Sequence, residues 1–153
     1  FSIELGGFIG FSVPSPNRRT EISGELTVHQ DVAGGHGGGV AMANLQYGHQ
    51  INRQWRATLG SNVAYGGSDY MDSFYTVSPE AAIRSGLPGF DADAGLKSAS
   101  VRLGSSYAFS PGWGVFGQAA YTRLLGDAKD SPVVNLAGNA DQVFFGVGVF
   151  RTY

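Results

Sequence analysis

The chain has 153 residues, of which only 14% are charged and 24 are glycine, with 12% aromatics, no cysteine and a formal net charge of −2. That is too little charge for an ordinary soluble surface and too much apolar and aromatic content for a disordered chain. The balance gives no footing for a nucleic-acid partner, and the lack of cysteine excludes a disulfide framework and thiolate metal sites. No apolar run approaches the ~18 residues of a helical span.

In chain order, the dominant pattern is alternation with period two, the signature of strands with one apolar and one polar face. Residues 1–13 set Ile3, Leu5, Ile9, Phe11 and Val13 against Ser2, Glu4, Phe8 and Ser12. Pro14-Ser15-Pro16-Asn17 then stops the run, because proline donates nothing to a ladder. From Thr20 the parity reverses: Ile22, Gly24, Leu26 and Val28 face one way, and Glu21, Ser23, Glu25, Thr27, His29 and Asp31 the other. Gly34-Gly35-His36-Gly37-Gly38-Gly39 reads as a mobile loop. It lacks the Gly-Lys-Ser/Thr of a phosphate cradle.

A third run carries Ala41, Ala43, Leu45, Tyr47 and Ile51 on one side, and a turn follows at Asn52-Arg53. A fourth carries Trp55, Ala57, Leu59, Val63 and Tyr65. The segment 66–94 is long and irregular. Within it Ser78 to Ser85 reads as helical turns, with Ser78 as N-cap and Pro79 at the first helical position. An eighth strand within 68–77 would break the spacing of the connections. A fifth run (Ala99, Val101, Leu103, Tyr107, Phe109) and a sixth from Trp113 meet at Ser110-Pro111-Gly112, a turn in which Pro sets φ and Gly accepts the corner conformation. Loop 126–139 precedes a last run of Val143, Phe145, Val147, Val149 and Tyr153, with Phe144 and Phe150 as exceptions on the polar side.

The connections alternate short (14–17, 51–53, 110–112) and long (33–38, 66–94, 126–139), as the periplasmic turns and extracellular loops of bacterial outer-membrane barrels do. The fold class predicted is therefore all-β: an antiparallel transmembrane β-barrel, single-domain over 1–153, with seven strands here. Seven is odd, which sets the first strand running toward the periplasm. An even-stranded barrel with both ends in the periplasm then requires more strands, so the chain is expected to be the N-terminally incomplete, C-terminal part of a larger barrel. No signal peptide is visible; an outer-membrane protein needs one, removed or upstream.

From Tyr70-Met71-Asp72-Ser73-Phe74-Tyr75-Thr76-Val77-Ser78 onward the chain resembles a known family. The resemblance continues through Ser85-Gly86-Leu87-Pro88, Ala94-Gly95-Leu96-Lys97, Ser110-Pro111-Gly112-Trp113 and the run Arg123 to Val134, and ends at Asp141-Gln142 and Gly146-x-Gly148. In this order and spacing the series is similar to the MltA-interacting protein (MipA)/OmpV family of outer-membrane proteins. Thr76 and Arg151 depart from the family pattern, and Tyr153 keeps its final aromatic. The resemblance implies a non-enzymatic barrel in the bacterial outer membrane. Its implied role is an envelope scaffold between a murein transglycosylase and a penicillin-binding protein, with immunogenic or adhesive surface proteins among other members. It supplies no catalytic residue and no cofactor.

The residues themselves point the same way. His29 beside Glu25 and Asp31 reads as part of a lumen hydrogen-bond network rather than a base or ligand. With Glu4, Glu21, Glu25, Arg56 and Arg102 it forms a predicted polar lumen network, since charges on an inward face are costly unless paired. The loop carboxylates Asp69, Asp72, Asp91, Asp93, Asp127, Asp130 and Asp141 lack the spacing of a Ca²⁺ loop and read as solvated charge. Tyr47, Trp55, Tyr107, Phe109, Trp113 and Tyr153 read as an aromatic girdle at the short-turn end, with His49 beside it. Outer-membrane lipid and lipopolysaccharide are the implied surroundings. A passive pore or a surface adhesin acting through the long loops is the competing function.

Overall fold

Each alternating run becomes a strand because a pleated chain sends successive side chains to opposite faces. The computed structural model describes residues 2–152. Its elements are β1 (Glu4–Pro14), β2 (Thr20–Asp31), β3 (Gly39–Gln50), β4 (Trp55–Gly66), α1 (Ser68–Tyr75), α2 (Pro79–Ser85), β5 (Gly95–Ser110), β6 (Trp113–Leu124), α3 (Gly126–Asp130), α4 (Pro132–Asn135) and β7 (Asp141–Arg151). The strands form one seven-stranded antiparallel meander in sequence order. β1 and β7 are its two edges and do not pair with each other among the described residues.

Register carries the apolar face across the whole sheet. Ile9 lies opposite Leu26, Leu26 opposite Ala43, Ala43 opposite Val63 and Val63 opposite Ala99. Lower down, Leu59 meets Leu103 and Leu103 meets Ala119. Such a face would ordinarily pack on a second layer, yet no described residue covers it: Ile9 is 73% exposed, Phe145 75% and Val147 90%. Contiguous apolar exposure on this scale marks an interaction surface rather than a water-facing wall.

The polar face accounts for the two aromatic exceptions. Phe116 lies over Gly148, Phe150 over Gly114 and Phe144 over Gly146, each ring filling the space a Cβ would need. Large rings beside missing side chains keep the β6–β7 wall packed without breaking the alternation. Two register shifts, at Ala64/Tyr65 and Ala108/Ser110, sit at opposite ends of β5, where extra residues bend a strand.

The buried apolar cluster lies beyond the strands, at the long-loop end. Met71, Ala92, Leu124, Ala128 and Val134 form it, with Tyr70, Tyr75 and Phe90 packed against them. Helix α2 begins and ends as its sequence dictates. Ser78 Oγ accepts from the Ala81 amide at 3.3 Å, Pro79 opens the first turn, and Gly86 closes the last at φ 74°. Residues 68–77 form α1 and a bridge at Val77 rather than a strand, and α3 and α4 occupy the predicted loop 126–139.

Candidate functional site

Three surfaces carry the functional groups. The first is the cap over the long-loop end. The family-like segments Tyr70 to Ser78 and Arg123 to Val134 are far apart in sequence but converge here. Ser131 is fully buried and its Oγ donates to the Tyr75 carbonyl at 2.6 Å. Thr76 Oγ1 accepts from the Ala92 amide at 2.9 Å, and Asp127 Oδ2 accepts from the Asp93 amide at 2.8 Å. Lys97 Nζ donates to the Tyr70 hydroxyl at 2.7 Å and lies 4.4 Å from its ring centre. Burial, and the Tyr70 phenol beside it, push the Tyr75 phenol above its ordinary range.

The glycine loop is tied into this cap, contrary to its reading as a mobile segment. The Asp31 carboxylate, 5% exposed, accepts backbone N–H groups from Ala33 (3.0 Å), His36 (2.6 Å) and Gly37 (2.8 Å). His36 Nε2 meets Glu4 at 3.2 Å, and its ring stands edge-on to Tyr70 and tilted against Phe74, at 5.4 Å from each. A Cβ on Gly38 would fall on the Tyr70 backbone, so glycine is needed there for close approach rather than for flexibility. Asp31 was not singled out in the sequence because it continues the polar alternation of β2. The available signal was an Asp two residues before a free backbone N–H, at the head of a glycine run. Replacing Asp31 with alanine removes a charged acceptor from three donors at once. The expected result is easier opening of the loop, measured as faster amide exchange at residues 33–38 with β3 to β6 still protected.

The second surface is the polar face. Glu25, His29, Asn44, Asn62, Arg102 and Thr122 are among the side chains around a cavity of about 500 Å³. They come from β2 through β6, so the sheet curves toward this side. The six residues predicted as one network divide. Glu21 and Arg56 meet at 3.1 Å, and Ser12 donates to Glu21 at 2.6 Å. Arg56 reaches Glu21 across β3 because Gly48 leaves the path open. Glu4 turns to His36 in the cap, and Glu25 accepts from Thr27 at 3.0 Å. His29 and Arg102 border the cavity without an ion pair among the described residues. Asn62 donates to Asn44 at 2.8 Å in the middle of the wall. Both partners of the Glu21–Arg56 pair are about 40% exposed, so solvent screens the pair and it adds little to stability. Among the described residues no group of three or more His, Cys, Asp or Glu could hold a metal ion. The geometry offers hydrogen bonds and mixed charge.

The third surface is the short-turn end. Tyr47, Trp55, Tyr107, Phe109 and Trp113 all stand on the apolar face and are 42–51% exposed. Trp55 lies opposite Tyr107, and Trp55 Nε1 donates to Ser105 at 2.6 Å. His49 stacks on Tyr47 at 6.3 Å and 10°. The Arg151 guanidinium lies 5.3 Å from the Trp113 ring centre. Tyr153, the sixth girdle residue of the sequence reading, lies outside the described residues.

Comparison with known proteins adds to this geometry. A family model described as "MltA-interacting protein MipA" matches residues 1–153. The "MltA-interacting protein" of Escherichia coli (strain K12) and that of Shigella flexneri are each 36% identical to this chain over 78 residues. The alignment covers 51% of this chain and 31% of either relative. The match over 1–153 does not bear out the expectation that the chain is only the C-terminal portion of the family's fold.

Proposed function

Because this chain belongs to the MltA-interacting protein family, we propose that it is a non-enzymatic β-barrel protein of the bacterial outer membrane that serves as a scaffold for murein enzymes. The observation that carries the membrane part is the apolar face. It runs through all seven strands, stays exposed, and ends in aromatic rings at the short-turn end. Hydrocarbon is the medium that such a face matches, and aromatic girdles mark the membrane–water interface. The two free sheet edges support closure through added strand pairing, because unpaired backbone groups are not tolerated in lipid.

The scaffold part draws on the relatives' name, which describes interaction with MltA. In this reading the long loops face outward, and the short turns face the periplasm, where a murein transglycosylase and a penicillin-binding protein would meet them. Capture from detergent extracts tests it. The intact protein is expected to retain a murein transglycosylase. Rebuilding turns 14–17, 51–53 and 110–112 is expected to abolish capture while leaving the strands folded. Retention by the rebuilt protein would contradict the scaffold reading. The polar wall around the cavity favours one further reading, a passive pore, which stepwise conductance in planar bilayers would support. A surface adhesin would instead act through the capped loops.

A further inference from the structure

Charge is divided sharply between the two ends of the sheet. All the carboxylates except Glu21 and Glu25 lie at the long-loop end, in the loops or at the strand ends that meet them. The short-turn end carries Arg18, Arg19, Arg53, Arg56 and Arg151, against Glu21 alone. Glu21 is already engaged by Arg56 on the polar face. Arg18 and Arg19 lie in the β1–β2 turn and Arg53 in the β3–β4 turn, all exposed and without an ion pair among the described residues. Arg151 ends β7 with the same parity as Val147 and Val149, and its guanidinium rests on the Trp113 ring of the girdle.

From these positions we infer that the short-turn rim binds the phosphate groups of anionic phospholipids. The inference rests on the membrane reading above and specifies which headgroups that end of the protein selects. Two features favour a lipid layer over an acidic protein face. The arginines are distributed from the β1–β2 turn to β7, which at ~4.8 Å between strands is roughly 25 Å of sheet width. A headgroup layer meets every point along that line, whereas a protein epitope needs a cluster. The arginines also sit just beyond a ring of tryptophan and tyrosine on the apolar face. There a guanidinium can keep its stem against apolar surface and its fork in the headgroups, where it binds phosphate through paired hydrogen bonds.

The protein contains two tryptophans, Trp55 and Trp113, and both belong to the girdle, so their fluorescence reports on this rim. The test reconstitutes the protein in phosphatidylcholine vesicles containing a minor fraction of either brominated phosphatidylglycerol or brominated phosphatidylcholine, brominated high on the acyl chain. Phosphatidylglycerol is expected to quench about twofold more, or beyond, at equal mole fraction. The excess should vanish in the variant R18Q/R19Q/R53Q/R151Q and shrink in the wild type at high salt. The substitutions lie in exposed turns and at a strand end, and the salt arm needs no variant. Equal quenching by the two lipids in the wild type would overturn the inference and leave the membrane reading standing. Equal lipid quenching together with loss of transglycosylase capture by the arginine variant would overturn it in favour of an acidic protein face. Absence of quenching by either lipid would overturn the membrane reading and this inference with it.

Discussion

Arginine in place of Val101 is expected to cost about 2–4 kcal/mol of folding free energy in a bilayer. Val101 stands on the apolar face near the middle of β5, between Ser61 of β4 and Tyr121 of β6 in register. It is 49% exposed with no protein layer over it. In water such a site would accept a charge with little effect, since exposed substitutions change stability by less than ~0.5 kcal/mol. In hydrocarbon the guanidinium must be dragged out of its hydration shell or thin the bilayer around it. Gln46 supplies the internal control. It lies two strands across the sheet, in register with Gly60 and through it with Arg102, and it lines the polar cavity. Gln46→Arg is therefore expected to fold into vesicles almost as well as the wild type. Equilibrium urea titrations of refolding into vesicles compare the two. A difference of several kcal/mol between the two sites is the result expected when the two faces meet different media, because both lie within the same sheet.

Met71→Ala is the second large effect. Met71 is fully buried at the centre of the cap cluster, and large-to-small changes at such sites cost about 2–5 kcal/mol through lost contacts and the cavity left behind. The site controls more than one helix. Met71 sits on α1, whose Tyr75 carbonyl receives Ser131 Oγ and whose Tyr70 holds Lys97 and faces His36. Loosening α1 therefore releases α3, α4 and the glycine loop together. The loss is expected to be local. Limited proteolysis should begin within 66–94, and amide exchange should rise at 126–135, while β3 to β6 stay protected. Collapse of strand protection along with the cap would show that cap and sheet fold as one unit.

The strands were readable because one physical signal, period two, governs a sheet with one apolar and one polar face. Every short turn also carries its own chemistry, as Ser110-Pro111-Gly112 does. Helix α2 was readable for the same reason: Ser78 and Pro79 act on their own neighbours. Helix α1 was not, because its N-cap is Gly67, with no side-chain cap hydrogen bond. It is held by what Met71, Tyr70 and Tyr75 touch, and those partners include Ala128, Ser131 and Val134, far along the sequence. The same holds for Asp31 and His36. Each looked like one more polar or loop residue, and each gains its role from a partner that the fold brings to it. The polar face was legible as a surface. Which of its charges pair was not, because that depended on Gly48 leaving room for Arg56.

The family-like segments take on a different meaning in the structure. As sequence they identify a resemblance; as structure two of them, Tyr70 to Ser78 and Arg123 to Val134, build the cap, a packed cluster at the long-loop end, while Ser110 to Trp113 and Gly146 to Gly148 lie in a short turn and in β7.

The central claim is that the two faces of this sheet meet different media, and a nitroxide scan of β5 tests it most directly. The chain has no cysteine, so single cysteines at 98–109 each report one position. With the protein folded in vesicles, odd positions from Ala99 to Phe109 should be reached by oxygen and shielded from a water-soluble nickel complex. Even positions should show the reverse, giving an alternation of period two along the strand. Equal access of the nickel complex to both sets, or access without alternation, would contradict the account.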